Sequence, residues 1–280
     1  MKRAWANKAL ALVESGEAVA LITLLHVKGS APRDAGAQML VWSAGQLGTI
    51  GGGNLELALM RDARVLLAGG ERSMARDYPL GAILGQCCGG RVSAQVERLD
   101  FDGAAALLRS AAAEEDARAP LLLFGAGHVG EAVARAVAEL PFRLIWRDTR
   151  PAFCARAALT NDPRADVGEA PSGAFYLVLT HNHDLDYEIV RTILARRDAA
   201  YCGLIGSSSK RVRFERQLRA DGLGAEVRWL TCPIGGAIGL KGKEPAVIAA
   251  ATAAEMLLAL EAQRPAAASR TPVTEPAHGV

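Results

Sequence analysis

Apolar positions follow two different rhythms along this chain, and the change between them divides it. Trp5, Ala9, Leu10, Leu12 and Val13 fall at helical spacing and predict an amphipathic helix over 5–15. Residues 18–27 form a largely apolar strand, residues 38–42 a second, and 75–78 and 92–99 two more, with Gly-, Pro- and Ser-containing turns among them. Leu55, Leu59, Ala63 and Leu66 recur on one face of a helix. Beyond residue 120 the rhythm changes to short, largely apolar runs at 121–124, 142–146, 175–179 and 201–205. Such runs suit a parallel sheet buried on both faces. The expected fold class is therefore α/β: a small N-terminal α+β domain over 1–103, a helix or linker over 104–119, and a Rossmann-like parallel-sheet domain over 120–262. A Pro/Ala/Thr-rich tail over 263–280 is expected to be disordered.

Composition narrows the classes. The 280 residues are enough for two domains, and 50% apolar with 22% charged residues describes a globular chain. A net charge of +2 gives no basic stripe for nucleic acid and no polybasic membrane anchor. The richest apolar run, Ala246 to Leu260, is interrupted by Thr252 and Glu255, so no membrane span is expected. Asn7, Lys8 and Glu14 break up any signal-peptide core. Five cysteines show no disulfide framework, and the expected location is cytoplasmic.

The candidate chemistry centres on Gly85-Gln86-Cys87-Cys88-Gly89-Gly90. Adjacent Cα atoms lie about 3.8 Å apart, short of the roughly 4.4 Å lower end for ordinary disulfides. Two reduced thiols among glycines suggest a soft-metal site, a persulfide carrier or a redox pair, set against small apolar side chains in a tight turn. Upstream, Gly51-Gly52-Gly53-Asn54 precedes a helix, with Asn54 as the expected N-cap. Gly52 and Gly53 would form an anion cradle or simply a tight turn, and Glu56 suits the positive helix end. His26 and Arg33 read as a structural histidine and a surface arginine.

The second half opens with strand, Gly125-Ala126-Gly127-His128-Val129-Gly130, helix, strand and Asp148, the dinucleotide-binding fingerprint in context. His128 faces either ligand or solvent. Thr180-His181-Asn182-His183-Asp184-Leu185-Asp186 follows another strand and suits polar ligand contact; Asp184 is the expected helix cap. Gly206-Ser207-Ser208-Ser209-Lys210-Arg211 at a helix start suits a phosphate, with Ser207 and Lys210 the named candidates, against a plain serine cap with exposed bases.

In order along the chain, Gly29-Ser30-Ala31-Pro32-Arg33, Gly51 to Glu56, Gly85 to Gly90, Phe124 to Gly130, His183 to Asp186, Gly203 to Ser207 with Lys210-Arg211, and Cys232-Pro233-Ile234-Gly235 resemble the XdhC/CoxI family of xanthine dehydrogenase accessory proteins. Only the loop Lys241 to Pro245 departs from that pattern. The resemblance implies a chaperone that binds molybdenum cofactor (molybdopterin) and protects it while a cysteine desulfurase partner supplies the terminal sulfur. Delivery to the molybdenum subunit of apo xanthine dehydrogenase follows. It also implies a homodimer, with Cys87 and Cys88 as molybdenum ligands beside Gln86. Gly52, Gly53, Gly125, Gly127, His128, Gly130, Asp148, Ser207 and Lys210 complete the expected cofactor-binding set. Two other readings stand beside it: an NAD(P)-linked oxidoreductase with Asp148 on a ribose, the nucleotide held in the Rossmann-like domain, and a persulfide carrier working without a pterin.

Overall fold

The structure is a computed structural model that describes residues 2–81, 90–240 and 242–263. The chain divides into two compact units, Met1–Ala117 and Arg118–Val280.

The first unit runs α1 (Lys2–Glu14), β1 (Val19–Lys28), β2 (Gln38–Trp42), β3 (Gly45–Gly48), α2 (Gly53–Gly69), β4 (Ser73–Pro79), β5 (Arg91–Leu99) and α3 (Phe101–Asp116). Its sheet is antiparallel in the order β3-β2-β1-β5-β4. Side chains of β1 alternate between two cores, as the pleat requires. Ala20, Ile22 and Leu24 pack with Met39, Val41 and Val96 against Leu55, Leu59 and Leu66 of α2. Val19 and Leu21 join Leu40, Leu99, Trp5 and Ala9 on the other face. The segment expected as a helix or linker over 104–119 is mostly α3. This helix belongs to the first unit: Asp100 caps it by accepting the Gly103 amide at 2.8 Å, and Glu114 meets Lys2 of α1 at 2.6 Å.

The second unit runs β6 (Ala119–Phe124), α4 (His128–Val137), β7 (Phe142–Asp148), β8 (Ala158–Leu159), α5 (Pro163–Glu169), β9 (Phe175–Val178), α6 (His183–Arg196), β10 (Tyr201–Leu204), α7 (Ser208–Ala220), β11 (Leu230–Thr231) and α8 (Pro245–Gln263). All its strand pairs are parallel, in the order β8-β7-β6-β9-β10-β11. Counted from β6, that is the doubly wound Rossmann order, and the order of strand addition reverses between β6 and β9. Leu122, Phe124, Tyr176 and Val178 face α6 and α7 through Ile189, Ile193 and Phe214. Leu121, Leu123, Phe175 and Leu177 face α4 and α8 through Val133, Val137 and Met256. Helix α8 is long and apolar enough to cross a membrane by length and composition. Here its Ala249 and Met256 complete that second core.

Candidate functional site

The loop after β6 has the geometry its glycines require. Gly125 has φ +115°, and a Cβ there would lie 2.2 Å from the Leu179 carbonyl oxygen. At Gly130 a Cβ would lie 2.1 Å from the Gly125 oxygen, so both positions are fixed by packing. Gly127 differs: nothing lies within 4 Å of its would-be Cβ. It occupies the N-cap of α4 and makes no side-chain cap bond. The start of α4 thus presents backbone amides at the positive end of a helix, beside open space. His128 is exposed there. Trp146 Nε1 donates to the Gly125 oxygen at 3.0 Å and pins the loop from beneath.

Asp148 sits where a Rossmann acid is expected, but its carboxylate is heavily engaged. It is 5% exposed, accepts the Ala126 amide at 2.6 Å, and takes Arg150 Nε and Nη2 at 2.9 and 2.7 Å. The Arg150 amide adds a further bond at 2.8 Å. Burial works against ionisation, but the Arg150 guanidinium and the two amides outweigh it and hold the Asp148 carboxyl below its ordinary value. The cavity bounded by Gly125, Asp148, Thr160, Thr180 and His181 measures about 10 Å³, the room of one water. A ribose on Asp148 would have to displace Arg150 and open that space.

A roomier site lies along the same carboxyl edge, after β9 and β10. Asn182, not Asp184, caps α6: its Oδ1 accepts the amides of Asp184 and Leu185 at 2.8 and 3.3 Å. The reason is position, since Asp184 already lies inside the first turn. Asp186 is 1% exposed and gathers the loop, accepting Thr180 N at 3.0 Å, Thr180 Oγ1 at 2.6 Å and Lys210 Nζ at 2.6 Å. Lys210 also donates to the Ile205 carbonyl at 2.9 Å. Its charge, expected to face a phosphate, is therefore balanced inside the protein. Ser207 caps α7, accepting the Lys210 amide at 3.4 Å. Around these groups is a cavity of about 490 Å³ lined by Thr180, His183, Ser207, Ser209, Arg213 and Phe214, among others. That is the size of a small-ligand site.

Cys232, just after β11, is buried, as is Cys202 on β10. Burial pushes the Cys202 thiol up to about 12, and it raises Cys232 although Lys210 and Arg211 pull the other way. Neither behaves as a ready thiolate.

In the first unit, the anion cradle over Gly51 to Gly53 is met by the protein's own carboxylate. Glu56 Oε2 accepts the amides of Ile50 and Gly52 at 3.2 and 3.0 Å and the Thr49 hydroxyl at 2.6 Å. Helix α2 begins at Gly53 with Gly52, not Asn54, at the N-cap; Gly52 has φ +74°, which a glycine accommodates. The remaining candidates, Gln86, Cys87 and Cys88, lie outside the described residues, as does the tail from residue 264. Among the described residues, no group of three or more His, Cys, Asp or Glu is placed to hold a metal ion.

Glu255 was legible only as the acid that interrupts an apolar helix. In the structure it is 8% exposed and accepts Tyr201 Oη–H and the Gly235 amide at 2.7 Å each, and the Ala237 amide at 3.2 Å. It anchors the loop after Cys232 from within the core.

These features define a two-unit protein whose second unit is a Rossmann domain with a ligand-sized cavity at its carboxyl edge. The XdhC Rossmann domain profile matches residues 121–256, and the XdhC and CoxI family profile matches residues 12–79. The chain belongs to the XdhC and CoxI family. It is 30% identical over 271 residues to the uncharacterized protein YqeB of Escherichia coli K12, covering 90% of this chain and 45% of that protein. The chain thus spans less than half the length of that curated relative. A crystal structure described as a xanthine dehydrogenase from Bacillus halodurans superposes with a TM-score of 0.71 at 20% identity, covering 93% of this chain and 98% of the other. That likeness supports the same fold.

Proposed function

We propose that this protein is a maturation factor for a xanthine dehydrogenase, binding molybdenum cofactor and passing it to the apo enzyme. Family membership supports the maturation role. The observation that carries the binding step is the cavity of about 490 Å³ after β9 and β10, where hydroxyls of Ser207 and Ser209 and the Arg213 guanidinium surround a helix start. That chemistry fits a phosphate-bearing compound. Gly127, at the start of α4, leaves room for a close approach to backbone amides in the same unit. When bound, the cofactor would supply a sulfur-ligated molybdenum, for which the thiolates of Cys87 and Cys88, beside Gln86, are suitable soft ligands. Release follows from proton competition, since thiolate ligation weakens as the thiols reprotonate.

A cysteine desulfurase as sulfur donor, the molybdenum subunit of the apo enzyme as recipient, and a homodimer as the working form complete the proposal. The NAD(P) reading has less support, because Asp148 is committed to Arg150 and the space beside it holds about one water. The test is purification from a molybdenum-replete host, with metal analysis and fluorescence of the oxidised pterin, followed by transfer to apo xanthine dehydrogenase. Cys87→Ala and Cys88→Ala should lower bound molybdenum and transfer. If both variants carry and deliver the cofactor as the parent does, the cysteine assignment fails; if the parent carries no pterin, the whole reading fails.

A further inference from the structure

A second cavity, of about 390 Å³, lies at the opposite edge of the Rossmann sheet, at the amino ends of β10 and β11. Ile193 and Leu194 of α6 supply buried apolar lining, and Trp229 stands beside them with 59% of its surface exposed. Glu226, 7% exposed, lines the cavity together with the charged residues Arg197, Asp198 and Arg228. Its Oε1 meets Arg197 Nε at 2.8 Å, whereas its buried Oε2 has no hydrogen-bond partner. Buried carboxylate oxygens are ordinarily satisfied, and an orphan next to a cavity of ligand size marks a place for a donor.

The charges nearby say what kind of donor. Glu226 is already paired with Arg197, and Asp198 with Arg196 at 2.8 Å. Arg228 has its guanidinium carbon 5.0 Å from the centre of the Trp229 ring and makes no ion pair among those of the described residues. A further cation would meet an uncompensated arginine. What is missing is a neutral N–H group, together with a flat apolar body to cover the exposed indole.

We propose that this cavity binds a planar heteroaromatic ring with an N–H donor edge, of the purine class, stacked on Trp229 with the edge turned to Glu226. The N–H edge meets Oε2, while Arg197, 68% exposed, shifts with the carboxylate and keeps its pair with Oε1. This site is separate from the carboxyl edge and does not rest on the proposed maturation role.

Guanosine is the probe, because its N1–H and exocyclic amine present two adjacent neutral donors. Calorimetric titration of the full chain should give saturable binding to guanosine, weaker binding to inosine, which lacks the amine, and at least about tenfold loss in Glu226→Gln. Trp229→Leu, at an exposed position that leaves the core intact, should lose binding by a similar factor. Absence of saturable guanosine binding overturns the proposal, as does binding that both variants retain in full. Should Glu226→Gln fail to fold, Trp229→Leu decides alone.

Discussion

The Asp148 carboxylate accepts the amide hydrogen of Ala126 at 2.6 Å, tying the end of β7 to the glycine loop after β6. In a dinucleotide enzyme this acid is left to meet a ribose. Here it locks the loop and Arg150 into one unit, so Asp148 acts on stability first. Asp148→Asn should destabilise the protein by about 2 kcal/mol at pH 7, since it leaves Arg150 without its partner. The Asp148 pKa is depressed in the folded state. Its contribution is therefore complete above the unfolded value of about 3.9 and is lost as pH falls through the folded one. Urea titrations at pH 7 and near pH 2 should show the gap between parent and variant closing in acid. A gap that stays constant would show that the ionised pair is not its source.

The three glycines of the motif at the start of α4 should respond differently to alanine. Gly125→Ala and Gly130→Ala place a Cβ 2.2 and 2.1 Å from backbone oxygens that cannot easily yield. Each should cost about 2 kcal/mol or more. Gly127→Ala meets open space and should cost less, about 1 kcal/mol, for the exchange of a favoured N-cap residue for a poor one. Thermal melts of the three variants check this ordering; cofactor content of the Gly127 variant reports whether its open face meets ligand.

Removing Glu56 should free the amides of Ile50 and Gly52. Glu56→Ala is expected to lose about 1–2 kcal/mol, the range for deleting a helix cap. Inorganic phosphate should then raise the melting temperature of the variant but not of the parent, because only the variant has the cradle empty. Equal phosphate responses would argue against an internal carboxylate occupying an anion site.

Thiol labelling separates the cysteines. Cys154 is exposed, whereas Cys202 and Cys232 are buried with raised pKa values. Iodoacetamide at pH 8 should modify Cys154 in the native protein and spare the other two until urea is added, as read by peptide mass spectrometry. Rapid native modification of Cys232 would show that Lys210 and Arg211 overcome its burial.

Much of the architecture was readable from periodicity because burial imposes it. The run Leu121 to Phe124 is apolar on both faces because α4 and α8 cover one side and α6 and α7 the other. Strand β3 and helix α5 carry no such signal. Gly45–Gly48 has only two side-chain-bearing residues, and Pro163–Glu169 has too few turns to show a stripe. The glycines at 125, 127 and 130 were legible because their spacing encodes a steric requirement. The commitments of Lys210 to Asp186 and of Glu56 to its own loop were not, since such pairings depend on segments meeting in three dimensions. Asn54 and Asp184 have the residue type of caps, but the turns begin at Gly52 and Asn182.

Among the described residues, each of the four apolar clusters draws its members from a single unit. A cut in the chain after residue 117 therefore leaves each cluster of the described residues whole. Each unit thus carries apolar clusters of its own, which is what separate inheritance of the two halves would require.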